Sequence, residues 1–311
     1  MKKTDAIIIG FGKGGKTLAG ALAEAGKNVV MVEESEEMYG GTCINAACIP
    51  TKSLVHSAGL SAVRGGSFEE KALRYAEAVE EKERLTAMLR QKNYHKLADD
   101  DRIQVILGRG SFVDSHHVAV ATKNSREIWE AEHIFINTGS RPFVPPIDGL
   151  NESKRVYLSE TLLKLKELPR RLIIIGGGYI GMEFASMYAN FGSQVTVIQD
   201  SEAFFPREDR EAAAVVLEDL QSRGVKIYPG AAVTKVADSE DKAIVSFLVG
   251  SEKKQLTADA VLVATGRRPN VAGLNLDAAG IKLTSRGAIE VDEHLRTSAP
   301  NIWAMGDVVG G

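Results

Sequence analysis

The chain has 311 residues, enough for two domains of ordinary size, each with its own core. Its formal net charge of −3 provides no basic field to attract nucleic acid or an anionic membrane. No stretch approaches the roughly 20 apolar residues of a membrane span, and the short apolar run near the N-terminus is interrupted by glycines. We therefore expect a cytosolic protein without nucleic-acid or membrane partners.

The first predicted unit is a strand, a glycine-rich turn, a helix and a second strand. The strand covers residues 6–9, the helical pattern ends at Gly26, and the second strand covers residues 28–32. In this context the glycines predict a dinucleotide site, because they permit a tight turn, a close approach of pyrophosphate and close packing of the helix. Glu33 closes the second strand and is placed to accept hydrogen bonds from a ribose. The glycines of the motif are Gly10, Gly12 and Gly15.

The only two cysteines, Cys43 and Cys48, follow this unit closely. A close pair in a cytosolic chain indicates redox catalysis or metal binding. Residues five apart in a regular helix have Cα atoms roughly 8.6 Å apart, whereas a disulfide needs less than about 7 Å, so a bonded pair requires an irregular turn. A disulfide across so short a loop adds little stability, which favours a reactive role. Lys52 and a helix N-terminus would lower a thiolate pKa. Two inert buried cysteines are the alternative.

A long helix is predicted next, followed by strands that lead into a second copy of the opening pattern. The helix covers residues 68–97, and the last strand before residue 137 leads into Thr138-Gly139. In the second copy, a strand at residues 172–175 precedes a glycine turn, a helix at about 182–191 and a strand ending at Gln199. The spacing from first glycine to strand end is the same in both copies, so a turn without nucleotide is disfavoured. The second set of glycines is Gly176, Gly178 and Gly181, and a further strand at residues 258–263 leads into Thr265-Gly266.

These motifs resemble the class I pyridine nucleotide–disulfide oxidoreductases, a family that includes lipoamide dehydrogenase, glutathione reductase and mercuric reductase. The resemblance covers essentially the whole chain and is most specific in the segment from Gly40 to Lys52. The turn that begins Gly10-Phe11-Gly12-Lys13 is most similar to a bacterial subgroup linked to reactive-chlorine resistance and credited with copper(II) reduction. The resemblance implies an α/β fold with two doubly wound three-layer (β/β/α) domains, one inserted in the other. We expect an FAD domain at residues 1–148 and 272–311, and an NAD(P)H domain at residues 149–271.

The resemblance also implies a role for each motif residue. Cys48 would face the flavin, Cys43 would meet the acceptor, and Lys52 paired with Glu183 would lie beside flavin N5. Tyr179 would cover the nicotinamide pocket, and electrons would pass from NAD(P)H through FAD to the Cys43–Cys48 disulfide and then to the acceptor. The remaining residues implied for FAD are Gly41, Thr42, Thr138, Gly139, Gly306 and Asp307 beside the first glycine motif and Glu33, and those implied for NAD(P)H are the second glycine motif, Gln199 and Gly266.

The sequence departs from the family at three points. Ala47 replaces a glycine before the second cysteine. The cofactor-selecting residue is Gln199, and its acidic neighbours favour NADH over NADPH. The sequence ends shortly after Gly306-Asp307, where the family continues into a dimerisation domain that supplies a catalytic His–Glu pair to the partner subunit. We therefore expect a truncated chain with weakened FAD binding and slow turnover of bulky disulfides, a homodimeric full-length protein, and an oligomeric state of this chain that the sequence leaves open.

The motif leaves the electron acceptor open. The acceptor is a small molecule or ion, either a disulfide or, as the alternative, a metal ion such as mercury or copper or a reactive oxidant reduced by the same thiols. A non-enzymatic redox-sensing module is the alternative of another class, but such a sensor has no use for the Lys52–Glu183 pair. No resident metal site is predicted.

Overall fold

The computed structural model describes residues 1–310 and divides into two compact units. The first unit comprises residues 1–49, 85–141 and 267–311, and the second comprises residues 50–84 and 142–266. The domain boundaries predicted from the sequence stay a prediction.

Most of the chain is regular secondary structure. The helices are α1 (Lys13–Glu24), α2 (Thr42–Asn45), α3 (Cys48–Arg64), α4 (Phe68–Ala98), α5 (Ser159–Leu162), α6 (Tyr179–Phe191) and α7 (Arg210–Ser222). The strands are β1 (Lys2–Ile9), β2 (Val29–Glu33), β3 (Ile103–Leu107), β4 (Arg109–Phe112), β5 (His117–Ala121), β6 (Arg126–Ile136), β7 (Ser140–Pro142), β8 (Val156–Leu158), β9 (Arg171–Ile175), β10 (Gln194–Ile198), β11 (Lys226–Tyr228), β12 (Ala231–Ser239), β13 (Lys242–Val249), β14 (Glu252–Ala258), β15 (Ala260–Val263), β16 (Arg267–Pro269) and β17 (Ile302–Ala304).

The first unit is built on a sheet with the strand order β3-β2-β1-β6-β5-β4. Strands β1, β2, β3 and β6 are parallel, and β17 adds to β6 in the same direction. The long strand β6 pairs with antiparallel β5 in its first half and with β17 in its last three residues. In register, Ile9 lies opposite both Val32 and Ile136, and Ala304 lies opposite Ile136. The residues that follow these strands therefore leave the sheet along one edge.

The second half of β1, from Ala6 to Ile9, is buried on both faces because the unit has a layer on each side of the sheet. Ala6 and Ile8 pack with Ala19, Ala23 and other residues of the helical side. Ile7 and Ile9 point the other way, into a core formed with the antiparallel strands and the C-terminal segment. The apolar run at the start of the sequence thus serves two cores at once.

The second unit repeats this layering. Its parallel sheet has the order β11-β10-β9-β15-β8, and a separate antiparallel sheet has the order β12-β13-β14. Alternate residues of β9 separate again, since Ile173 and Ile175 pack against the antiparallel sheet, whereas Leu172 and Ile174 pack on the helical side. Each unit is therefore a three-layer α/β arrangement, and the predicted fold class is confirmed.

Most predicted elements are present, with shifts at their ends. The predicted helix at 182–191 begins earlier, at Tyr179, and Gly192 ends it with a φ of 100°. The predicted strand at 258–263 is wrong at its start, because Ala258 ends β14 and a new strand begins at Ala260. The charged residue Asp259 stands between the two strands and marks the break that the predicted strand passed over.

Candidate functional site

The first glycine turn packs directly against the end of the neighbouring strand β6. Gly10 has a φ of 104°, and a Cβ atom on it would lie 2.3 Å from the carbonyl oxygen of Asn137. A Cβ on Gly15 would lie 2.7 Å from the carbonyl oxygen of Gly10. Side chains at these two positions are excluded by the protein itself, because real Cβ atoms do not approach oxygen so closely. The turn delivers α1 with its N-terminus beside the sheet edge.

The N-termini of α1 and α6 differ from that of α7. Asp209 caps α7, where its carboxylate accepts hydrogen bonds from the backbone N–H groups of Glu211 and Ala212, each at 3.0 Å. Gly12 and Gly178 occupy the corresponding positions in α1 and α6 and have no side chain with which to cap. These two helices therefore offer backbone N–H groups and a partial positive charge to an anion.

Asn137 is the central polar residue of the first site, and sequence analysis did not single it out. Its side chain is buried, and its Oδ1 accepts a hydrogen bond from the N–H of Gly15 at 2.8 Å. Its Nδ2 donates to the carbonyl oxygen of Met305 at 2.8 Å. One amide thus joins the glycine turn to the segment that holds Gly306 and Asp307. The second copy has Ala264 at the equivalent position, and that difference was the available signal.

Glu33 lies where the sequence predicts, at the end of β2 and against the turn. Its carboxylate accepts hydrogen bonds from the N–H groups of Phe11 at 2.9 Å and Ser35 at 3.2 Å. Burial raises the pKa of Glu33, and these backbone donors oppose the rise. The carboxylate is thus held at the end of the strand, where the acidic residue of such folds accepts a hydrogen bond from a ribose diol.

Asp307 and Thr138 each have a protein partner. Ser140 donates a hydrogen bond to the Asp307 carboxylate at 2.8 Å, and the guanidinium of Arg267 donates to both the hydroxyl and the carbonyl oxygen of Ser140. The Thr138 hydroxyl donates to the carbonyl oxygen of Asn270 at 2.7 Å. Thr138 therefore secures the chain that returns beside it, while Asp307 belongs to a charged network that the sequence motif did not reveal.

The second glycine turn has the same construction. Gly176 has a φ of 112°, and its Cβ would lie 2.4 Å from the carbonyl oxygen of Ala264. A Cβ on Gly181 would lie 2.1 Å from the carbonyl oxygen of Gly176. Gly178 differs, because a Cβ there would have nothing within 4 Å and its φ is −79°. The protein places no restriction on Gly178, so the absence of a side chain keeps the space in front of α6 open for a ligand.

Gln199 is buried and turned inward. Its Nε2 donates to the carbonyl oxygens of Ser201 at 2.7 Å and Ala203 at 3.2 Å. Its Oε1 fills the space beside Gly177, where a Cβ would lie only 2.0 Å away. Gln199 therefore shapes the turn, and the charges nearest along the chain are the acidic ones of Asp200 and Glu202.

Lys52, Glu183 and Tyr179 share one cleft in the second unit. The cleft encloses about 430 Å³, and the Lys52 ammonium forms an ion pair with the Glu183 carboxylate. Tyr179 is two-thirds exposed and contacts Phe205 in a tilted arrangement with 5.3 Å between ring centres. Its hydroxyl donates to the Glu208 carboxylate, which raises the pKa of Tyr179. The predicted pair thus forms in the same cleft as an exposed aromatic side chain.

The two cysteines lie at the junction of two helices and are free thiols. Helix α2 ends at Asn45 and α3 begins at Cys48, so the segment turns between them, as a bonded pair requires. Gly41, with a φ of 81°, sits against the first glycine turn, where a Cβ would lie 2.6 Å from the Cα of Gly12. The cysteine segment is therefore pressed onto the predicted pyrophosphate site. Thr42 begins α2 and is half-buried.

Lysines on α1, rather than Lys52, act on the Cys43 thiol. Burial, together with a hydrogen bond to the neighbouring Cys48 and the charge of Cys48, raises its pKa to about 11. The charges of Lys13 and Lys16 lower it. The sequence predicts a lowered thiol pKa, but in the dithiol state the pKa of Cys43 is raised overall. Neither lysine was among the predicted site residues, although both stand within or beside the glycine motif.

The remaining predicted residues fall at the two sheet edges. Gly306 follows β17 and has a φ of 77°, with the Asn137 amide 3.1 Å from its Cβ position. Gly139 and Gly266 follow the equivalent strands with φ values of 69° and 111°. Within residues 1–310, no group of three or more His, Cys, Asp or Glu side chains is arranged to hold a metal ion. No helix in that range is long and apolar enough to cross a membrane.

The chain belongs to the pyridine nucleotide-disulphide oxidoreductase family, whose sequence profile matches residues 4–311. It thus belongs to a class of oxidoreductases that use a flavin and a pyridine nucleotide. The predicted family is confirmed.

Two curated relatives are similar along essentially the whole chain. The chain is 47% identical to the probable pyridine nucleotide-disulfide oxidoreductase RclA of Escherichia coli, over 100% of this chain and 67% of the relative. It is 35% identical to the dihydrolipoyl dehydrogenase of Geobacillus stearothermophilus, over 99% of this chain and 66% of the relative. A solved structure described as the Cu(II) complex of the HOCl-induced flavoprotein disulfide reductase RclA from E. coli superposes with a TM-score of 0.92, covering 100% of this chain and 67% of that one at 47% identity. The chain spans about two thirds of the length of these relatives.

Replacing Asn137 with alanine should destabilise the first unit. The substitution leaves the Gly15 N–H and the Met305 carbonyl oxygen without their buried partner, so we expect a loss of about 2–4 kcal/mol. Thermal and chemical unfolding would measure it. Asn124→Ala, in an exposed turn, is the matched control and should change stability by less than about 0.5 kcal/mol. Equal stability of the two variants would contradict this role of Asn137.

Alanine at Gly181 and at Gly178 should have opposite effects. Gly181→Ala forces α6 away from Gly176, so unfolding should become easier by about 3 kcal/mol. Gly178→Ala should fold like the parent, because the backbone and the space around it accept a Cβ. It should instead weaken nucleotide binding about tenfold or more, by overpacking the ligand. Calorimetric titration with NADH and thermal unfolding would separate the two, and unchanged NADH affinity in Gly178→Ala would refute the site.

Removing the Cys48 thiol should lower the pKa of Cys43. Cys48→Ala abolishes the hydrogen bond and the charge that raise it, while burial, the largest cause, remains. The pKa should therefore fall from about 11 and stay above 9.0, the unperturbed value. Ultraviolet absorbance of the thiolate across an alkaline titration measures the change. A pKa that does not move would show that the two thiols are not coupled.

Proposed function

We propose that this chain carries the FAD site, the NADH site and the Cys43–Cys48 redox pair of a flavoprotein disulfide reductase. The observation that carries the proposal is the glycine turn with an uncapped helix, which occurs once in each unit. The first unit also contains the Cys43–Cys48 pair, and the second contains the Lys52–Glu183 ion pair. Family membership supports the same assignment. A bound flavin supplies a two-electron relay between a nicotinamide and a disulfide.

The first site fits the adenosine diphosphate end of FAD. The turn at Gly12 and the open N-terminus of α1 suit a pyrophosphate, and the fixed Glu33 carboxylate suits a ribose diol. Asp307 follows β17 at the same edge, where it is held by Ser140. Gly41, Thr42, Thr138, Gly139 and Gly306 are proposed to line the same cofactor.

The second site fits a pyridine nucleotide, and its charges favour NADH. The uncapped N-terminus of α6 and the open space at Gly178 admit a pyrophosphate, with Gly266 at the same edge. Gln199 offers no positive charge to a 2′-phosphate, and Asp200 and Glu202 would repel one. Tyr179 would have to leave its contact with Phe205 for a nicotinamide to enter the cleft.

The residues on α3 and α6 prepare the charge that the relay needs. Lys52 keeps a positive charge in the cleft, and Glu183 holds it in position through the ion pair. In the proposed thiol step, the Cys43 thiolate attacks an acceptor sulfur, the acceptor bond breaks and a first thiolate leaves. Cys48 then attacks the Cys43 sulfur, and a second thiolate leaves with the closing of the disulfide. The pair loses two electrons, and the two thiol protons pass to the products.

Copper(II) reduction is the second candidate, because RclA has been solved as a Cu(II) complex. Two free thiols are soft ligands that can bind copper, and by closing to a disulfide they can supply one electron to each of two Cu(II) ions, which become Cu(I). We also propose, from the family resemblance, that the protein acts as a homodimer in the cytosol.

Anaerobic mixing of the FAD-loaded chain with NADH tests the main proposal. The flavin absorption should bleach faster with NADH than with NADPH. Lys52→Met should slow bleaching roughly a hundredfold, as expected when one preorganised charge is removed. Lys166→Met, an exposed lysine of the same unit, is the control and should bleach at the parent rate.

The cysteine variants complete this test. Cys43→Ala should bleach normally but lose turnover with any acceptor disulfide, since it lacks only the thiol that meets the acceptor. Failure of the loaded chain to bleach with either nucleotide would contradict the proposed function. Normal turnover in Cys43→Ala would assign acceptor reduction to another group.

A further inference from the structure

The cysteine segment is seated between α1 and α4 in a way that brings lysines to Cys43. Gly41 lies against the Cα of Gly12 on one side, where a Cβ would be 2.6 Å away. Gly40, on the other side, would place a Cβ 3.4 Å from the Cβ of Asn93, a residue of α4. Cys43 follows two residues later and is therefore held at the meeting point of these two helices.

Lys16 is fixed at this meeting point. Its side chain is half-buried, and its ammonium donates a hydrogen bond to the Asn93 side-chain oxygen, on the residue that packs against Gly40. Lys13 lies one turn earlier on α1, and both lysines interact electrostatically with the Cys43 thiol. Lys96, one turn beyond Asn93 on α4, adds a third positive charge that acts on Lys16.

The burial of Lys16 has a cost that a surface lysine does not have. Burial is the main reason that the pKa of Lys16 is lowered, and the charges of Lys13 and Lys96 lower it further. The negative charge of a Cys43 thiolate opposes this lowering of the Lys16 pKa. Several ammonium groups near one thiol therefore favour a negative charge on the sulfur and on the acceptor that approaches it.

We propose that Lys16, together with Lys13, forms an anion-recognition site at Cys43, so that the acceptor is a disulfide with negative charge close to its reacting sulfur. The inference rests on the proposed function and names the class of its substrate. Lys16 attracts the incoming anion and stabilises the thiolate that leaves when Cys43 attacks. The step is the thiol–disulfide exchange described above, with the acceptor reduced by two electrons and the cysteine pair oxidised.

The contacts of Lys16 differ from those expected of a lysine that binds the flavin phosphates. The open N-terminus of α1 already offers backbone donors at the glycine turn. Lys16 lies one turn further along α1, and its ammonium is anchored to α4 beside the cysteine segment. Its contacts thus belong to the thiol side of the helix terminus.

The test compares two disulfide probes of different charge on a single thiol. In Cys48→Ala, only Cys43 reacts, and no cofactor is required. Stopped-flow rate constants would be measured with the dianionic 5,5′-dithiobis(2-nitrobenzoate) and the neutral 4,4′-dithiodipyridine. Adding Lys16→Gln should lower the anionic-to-neutral rate ratio about fivefold or more. Lys16→Arg should restore the ratio because it keeps the charge.

Lys27→Gln is the matched control, since it removes one positive charge from an exposed position just beyond the same helix. Its ratio should stay within about twofold of the parent. An unchanged ratio in Lys16→Gln, or an equal fall in Lys27→Gln, would overturn the proposal. A fall in FAD affinity with an unchanged ratio would instead assign Lys16 to the phosphates. Since the probes report on the thiol without flavin or nicotinamide, failure here is distinct from failure of the bleaching experiment.

Discussion

The close approach of a glycine turn to the end of the adjacent parallel strand is the constraint on which both sites depend. In the first unit Gly10 meets the carbonyl oxygen of Asn137, and in the second Gly176 meets that of Ala264. The strand registers place these partners side by side, since Ile9 pairs with Ile136 and Ile175 with Val263. A residue with a Cβ at either glycine would separate turn from strand. The helix N-terminus could then no longer be held at the sheet edge, where ligands bind in folds of this kind.

The two units share this backbone geometry and differ in the polar groups placed upon it. Asn137 links the first turn to the C-terminal segment, whereas the second unit has the apolar Ala264 at that position. Phe11 in the first turn donates its N–H to the Glu33 carboxylate, whereas Gly177 in the second makes room for the Gln199 amide. The two turns therefore share a backbone and differ in the side chains around it, as our proposal of two different dinucleotides requires.

The sequence predicted the parts of the fold that depend on local pattern. The repeated turn, the strands beside it and the long helix from Phe68 all follow from periodicity and glycine spacing, and the structure contains each of them. It did not predict α3 or the antiparallel sheet β12-β13-β14. In β12 and β14 most residues are exposed or half-buried, so their apolar alternation carries a weak signal. Asn137, Ser140 and Arg267 were missed for another reason. Their roles arise from contacts between residues more than a hundred positions apart, and the sequence gives no distance between such residues.

The contact between Gly41 and Gly12 joins the thiol chemistry to the cofactor site. Gly12 is one of the residues that we propose for the phosphate site, and its lack of a side chain allows the cysteine segment to lie against its Cα. Any side chain at Gly12 would meet the Asn137 amide, with 2.5 Å between its Cβ and Oδ1. A single glycine thus sets the position of the helix terminus, the buried amide and the cysteine segment. Helix α1 begins directly after Gly12, and its lysines act on Cys43. The positive charge around the thiol therefore depends on the same turn that we propose for the cofactor.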